Sequence, residues 1–133
     1  MPKITKKINI AAPVEKVWTA LTRAKAIEGW MGGAVKVSLK VGGEFAFFKG
    51  ETTGAFTRIE KPNTLEYTWR QAAWPAEWAS SRVHWELNPI KSGTQVRLTH
   101  DQFPNDDERA GHDEGWDTYW LTPMKAWLEA KAV

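Results

Sequence analysis

The chain contains no cysteine. A disulfide framework and a thiolate metal centre are therefore excluded. It also lacks any apolar run near the roughly 20 residues that a membrane helix needs, so no membrane span is expected. Net charge is small: 18 Lys and Arg against 16 Asp and Glu leave +2. The basic residues are dispersed, apart from Lys3, Lys6 and Lys7. That is not the basic stripe of a nucleic-acid binder, and no nucleic-acid partner is expected. The opening MPKITKKINI has no apolar h-region and does not read as a signal peptide. With nothing directing it elsewhere, a cytoplasmic protein is expected.

What the chain has in abundance is tryptophan, nine in 133 residues. That length suits one domain, taken here as residues 1–133, with a core of its own. KITKKINI predicts a first strand. AAPVEKVWTALT follows, with Pro13 suited to a first helical position and Val14, Val17, Trp18 and Leu21 on one helical stripe. A second short helix, AKAIEGWM, stops at Gly32-Gly33. Then comes a run of strands. AVKVSLKV places Val35, Val37 and Leu39 on one face, and EFAF places Phe45 and Phe47 on one face, with Gly42-Gly43 as the turn between. KPNT, Lys61 to Thr64, is a turn. LEYTWR alternates Leu65, Tyr67 and Trp69 against polar neighbours. SRVHWELN does the same with Val83, Trp85 and Leu87, leaving His84 and Glu86 outward. TQVRLTHDQ does so with Val96, Leu98 and His100.

Past Pro104, Asn105 suits an N-cap and Asp106, Asp107 and Glu108 suit the positive end of a helix dipole. Trp116, Trp120, Met124, Trp127 and Leu128 recur at helical spacing. Only the aromatic face of the sheet is large enough to receive that stripe. The expected class is α+β: a curved antiparallel β-sheet wrapped around a long C-terminal α-helix, with two short helices after the first strand. Pro123 inside the last helix removes a backbone hydrogen bond and crowds the preceding turn. It predicts a kink near Tyr119 to Pro123, which would free a carbonyl around Tyr119; the alternative is a simple bend around the sheet.

IAAPVEKVWTALT with EGWM, LKVGGEFAF, KPNTLEYTW, TQVRLTHDQFP and HDEGWDTYWL, in this order, resemble the SRPBCC superfamily. That is the helix-grip fold of START and birch-pollen-allergen domains. Within it the chain is similar to the Aha-type branch, homologues of the C-terminal domain of the activator of the Hsp90 ATPase. The resemblance implies a helix-grip fold. It also implies a cavity between sheet and helix, often for a lipid or other hydrophobic small molecule.

The inward aromatic face gives such a cavity its candidate lining: Phe45, Phe47, Tyr67, Trp69, Trp85, His100, Trp116 and Trp120. Its polar handles are the Tyr67 hydroxyl, the indole N–H groups and His100. Two alternatives stand side by side, an open cavity or a space filled by the tryptophans themselves. His100 has two readings of its own, a ligand or acid–base group and a satisfied structural histidine. In QAAWPAEWASS, Trp74 and Trp78 either cap the cavity mouth, form a dimer contact, or fold back onto the core. No catalytic set is recognisable: there is no nucleophile elbow, and the inward faces carry no acid pair. His112, Asp113 and Glu114 diverge by about 100° each on a helix, so no metal site is expected, and no cofactor. His112 is expected to cap or pack on the first turns of its helix.

Two functions fit these features. One is binding of a hydrophobic or amphipathic small molecule, lipid-like or polyketide-like and aromatic. The other is a protein-interaction module that regulates a chaperone ATPase. An enzyme is the weaker fit, and a monomer and a homodimer are equally compatible with the sequence.

Overall fold

A computed structural model describes residues 3–131 of the chain. The first strand, β1 (Ile4–Ile10), leads into helices α1 (Val14–Thr22) and α2 (Ala24–Met31). Pro13 stands one position earlier than its sequence suggested. It is the N-cap of α1, in extended conformation, where its fixed φ serves the entry to the helix equally well. Gly32 ends α2 in the left-handed region, at φ 86°, which glycine adopts without a Cβ penalty.

Six strands follow: β2 (Lys36–Val37), β3 (Glu44–Phe47), β4 (Thr52–Glu60), β5 (Thr64–Gln71), β6 (Ser81–Ile90) and β7 (Gly93–Asp101). They form one antiparallel sheet in the order β1-β7-β6-β5-β4-β3-β2. The strand expected over residues 34–41 shrinks to two residues. Its hydrogen bonds go instead to a compact turn: Ser38 N–H donates to the Glu44 carbonyl and Gly43 N–H to that of Lys40. Leu39 is consequently 42% exposed rather than on an inward face.

The inward faces of β5, β6 and β7 follow the period-two alternation. Leu65, Tyr67 and Trp69 on β5, Val83, Trp85 and Leu87 on β6, and Val96, Leu98 and His100 on β7 are all buried. Outward, His84 lies between Glu66 and Glu86, with Nε2 2.7 Å from the Glu86 carboxylate.

The C-terminal helix runs in three joined segments: α3 (Asp106–Gly115), a π-helical turn (Trp116–Leu121) and α4 (Thr122–Lys131). Asn105 caps α3 by accepting from the Glu108 N–H at 2.9 Å. Trp116, Trp120, Leu121, Met124 and Leu128 are buried against the sheet and the two short helices. Trp127 is half-buried against Gly29, where a Cβ would lie 3.0 Å from the indole. Where a kink or a bend was expected before Pro123, the helix carries a π turn. The Thr122 N–H reaches back five residues to the Asp117 carbonyl. The wider turn thus precedes a proline that has no N–H to offer and whose ring needs room. Among the described residues no helix is long and apolar enough to cross a membrane.

At β3–β4, Phe45 lies directly opposite Gly54. A Cβ on Gly54 would stand 1.9 Å from the Thr68 carbonyl oxygen and 2.5 Å from the Phe45 ring. Gly54→Ala must therefore move backbone as well as ring. It is expected to lower the unfolding free energy by about 2 kcal/mol or more, measured by urea denaturation. An unchanged midpoint would show that the strand yields without cost.

Candidate functional site

The space beneath the C-terminal helix is taken up by aromatic rings that meet one another. Ring centroids are 5.0 Å apart for Trp69 and Trp116, 4.8 Å for Trp116 and Trp120, and 5.7 Å for Trp85 and Trp116. Phe45 contacts Phe47 and Tyr67, both at 4.8 Å, and Phe47 contacts Trp120. Phe45, Phe47, Tyr67, Trp85 and His100 lie in this interior and do not border the open cleft described below.

Each ring that carries a polar atom has to satisfy it there. The Trp85 indole donates to the Tyr67 hydroxyl at 2.9 Å, and burial pushes that phenol's pKa up. The Trp116 indole donates to His100 Nδ1 at 3.0 Å. An indole N–H can only donate, so Nδ1 must be the bare nitrogen and the proton sits on Nε2. His100 Nε2 then donates to Ser81 Oγ at 2.7 Å, and that hydroxyl donates to the Trp69 carbonyl at 2.9 Å. The relay runs indole, imidazole, hydroxyl, carbonyl, and every member is buried. His100 is thus a satisfied neutral histidine. Burial, with nearby His112 adding to it, pushes its pKa down to about 2. The handles expected for a ligand at Tyr67, Trp85, Trp116 and His100 are all engaged within the protein.

The open space lies at the edge. A cleft of about 280 Å³ runs between α3 with its π turn and the facing ends of β4 and β5. Trp69, Trp116 and Trp120 form its wall, joined by Phe48 and Tyr119, the latter 61% exposed. Gly111 and Gly115, one helical turn apart, form its helix side. Glu51, Asp107 and Glu108 supply its charge, with His112, Thr52 and Gln71 completing the lining.

The local backbone explains how these side chains arrive. Phe48 and Lys49 adopt left-handed conformations, φ 53° and 57°, which are strained for residues with a Cβ. That turn delivers Phe48 and Glu51 to the cleft. His112 is fixed at both ring nitrogens. Nδ1 donates to the Glu108 carbonyl at 2.7 Å, and Nε2 accepts from the Trp69 indole at 3.1 Å. The expectation that His112 packs on the first turns of its helix describes this arrangement, though its place beside the cleft was not foreseen. The Trp74 indole donates to Glu108 Oε1, so one oxygen of that carboxylate is held. Trp74 itself lies back against the helix, 6.2 Å from both the Trp78 and His112 rings. The guanidinium of Arg70 donates to the carbonyls of Pro75 and Trp78 and pins the loop that carries them.

Of the eight lining residues expected from the sequence, then, three border the cleft. The acids and glycines were missed. Asp107 and Glu108 had a sufficient explanation as helix-start residues, and Glu51 comes from a turn without periodicity. The glycines did carry a legible signal, since two of them one turn apart in a helix face the same way.

The neutral state of His100 sets a pH dependence. Its folded pKa lies below the unfolded value of about 6.5. The folded state therefore resists a proton that the unfolded chain accepts. The associated stability is complete above about pH 6.5 and is lost as pH falls below it. From pH 7 to 5 this group alone is expected to remove about 2 kcal/mol of unfolding free energy. In His100→Gln, urea titrations across that range should give a shallower decline. An identical slope would place the acid sensitivity elsewhere.

The sequence model of the family described as Activator of Hsp90 ATPase homolog 1-like protein matches residues 11–129. A crystal structure of an HSP90 activator from Plasmodium falciparum is 29% identical, with a TM-score of 0.84 over 95% of each chain. The solution structure of the Aha1 dimer from Colwellia psychrerythraea is 24% identical, with a TM-score of 0.83 over 97% of each chain. An uncharacterised protein of Schizosaccharomyces pombe is 20% identical over 92% of this chain, and the match spans 36% of that relative's length. The fold, the order of the elements and the extent of the match agree: the chain belongs to the Aha-type branch of the SRPBCC superfamily.

Proposed function

We propose that this domain binds a small hydrophobic or amphipathic molecule in the cleft beside α3. The observation that carries this reading is the pair of helix glycines. Glycine in a helix interior costs roughly 1 kcal/mol relative to alanine. A Cβ on Gly111 would meet nothing within 4 Å, and one on Gly115 would make only an ordinary contact with Tyr119. Packing therefore gives no reason for either glycine, and what their small size leaves open is the cleft. The strained turn at Phe48 and Lys49 borders the same space and adds weight to this reading, since such strain gathers at ligand sites.

The wall is aromatic and few polar groups converge on it, as small-molecule sites require. The volume lies near the lower end for such sites, which favours a ligand of two or three fused rings over a long acyl chain. Among the tryptophans of the wall, Trp120 has an indole N–H with no hydrogen-bond partner among the described residues. Unlike the indole N–H groups of Trp69 and Trp116, it is not engaged within the protein. It is the donor still available to a ligand. No catalytic set accompanies it, so binding is the proposed activity, in a cytoplasmic setting.

A second reading, regulation of a chaperone ATPase, is favoured by the match to the HSP90 activator over nearly the whole of both chains. Stimulated turnover of a purified Hsp90-type ATPase on adding this domain is its expected sign, and unchanged turnover at saturation removes it. Self-association is compatible with either reading, since the Colwellia relative is a dimer.

Position 111 separates site from scaffold. Gly111→Ala is expected to stabilise the domain by up to about 1 kcal/mol, read by thermal or urea unfolding. Gly111→Leu should fold at least as well as the parent and lose ligand-induced thermal shifts in a screen of aromatic and amphipathic compounds. A hit retained by the leucine variant would place the ligand elsewhere.

A further inference from the structure

The charge around the cleft is one-sided. Three carboxylates line it, Glu51, Asp107 and Glu108, and among the described residues no lysine or arginine does. Lys49, itself part of the strained turn, is outside the lining. Arg70 is spent on the carbonyls of the neighbouring loop. Asp107 and Glu108 also suit the start of α3, but Glu51 belongs to no helix and has no such explanation. Glu108 is further distinguished by its fixed geometry. The Trp74 indole holds Oε1, and Oε2 makes no hydrogen bond among the described residues. The same cleft is lined by the indoles of Trp69, Trp116 and Trp120 and the exposed ring of Tyr119. Their π faces carry partial negative charge and attract cations placed over them.

A carboxylate ligand in this cleft would meet like charge at its rim, which costs affinity and suppresses the wrong partner. An ammonium group would meet carboxylates and π faces together. The unpartnered indole N–H of Trp120 is a donor at a residue only 3% exposed, and it suits a ring heteroatom, hydroxyl or carbonyl at the ligand's inner end.

We propose that the cleft selects its ligand by charge: it takes a compact aromatic molecule bearing a protonated amine or quaternary ammonium, and excludes the corresponding carboxylate. This rests on the reading of the cleft as a ligand site. Glu51 and Glu108 face the cation, and the tryptophan wall receives the ring.

A matched series tests it: naphthylmethylamine, its trimethylammonium analogue, naphthylmethanol and naphthoic acid, each titrated against the full chain by tryptophan fluorescence. The two cations are expected to bind about tenfold tighter than the alcohol, and the acid weakest. The gap should narrow at roughly 0.5 M salt, where screening shortens the reach of the carboxylates. It should narrow likewise in Glu51→Gln and in Glu108→Gln, which keeps an oxygen for the Trp74 indole. Gly111→Leu should abolish binding of the whole series. Equal affinities across the series, or a cation preference unchanged in both charge variants, overturn charge selection and leave the ligand site standing. Failure of all four compounds to bind overturns the ligand site and the selection together.

Discussion

A buried indole N–H without an acceptor costs about 1–3 kcal/mol, and at least five indole donors among the described residues are met within the protein. Trp30 finds the Ala20 carbonyl, Trp85 the Tyr67 hydroxyl, Trp116 the His100 imidazole, Trp69 the His112 imidazole and Trp74 the Glu108 carboxylate. Most of these acceptors sit on a different element from the donor. The hydrogen bonds therefore fix how the helix lies on the sheet, beyond the area its rings bury. The two histidines serve as acceptors that reach where a backbone carbonyl cannot. Because they accept from indoles, their protons are directed away from the aromatic cluster, towards Ser81 and the Glu108 carbonyl.

Filling the interior in this way moves the available space to its margin. A helix-grip domain encloses a ligand under its helix only if the side chains leave room, and here Trp85 and Trp116 occupy the centre. Room exists where the helix thins to Gly111 and Gly115 and where its backbone widens into the π turn. The same tryptophans then serve twice. Their inner edges complete the core, and the outer surfaces of Trp69, Trp116 and Trp120 form the wall of the cleft. A rigid wall of this kind is preorganised, since its rings are locked by the core behind them.

Much of this arrangement could be read along the chain. The alternation in LEYTWR, SRVHWELN and TQVRLTH matches the observed inward faces, because strand periodicity reports burial directly. The spacing of Trp116, Trp120, Met124 and Leu128 matches the face of the last helix, and Asn105 caps it as its residue type suggests. Less legible were features that depend on distant partners. The apolar Leu39 and Val41 looked like strand residues, yet the turn that closes on Gly43 takes the local hydrogen bonds. His100 looked the same in sequence whether it met a ligand or an indole, and only the position of Trp116 separates the two. The lining of the cleft comes from a turn, a helix start and two strand ends, which share no periodicity that a sequence could display.

The pairing of β1 with β7 carries a consequence for how the chain is made. Ile4 lies opposite His100, and Lys6 reaches across to Asp113 and Asp117 on the C-terminal helix. These partners are about 100 residues further along the chain. During synthesis the first strand has emerged long before anything it can pair with, and it waits with open hydrogen-bonding edges. Long-range pairing of this kind slows folding, because a large loop must close before any contact rewards it. The adjacent Lys6 and Lys7 in ITKKINI put charge on both faces of that waiting strand, which discourages it from pairing with a neighbour's copy in the interval.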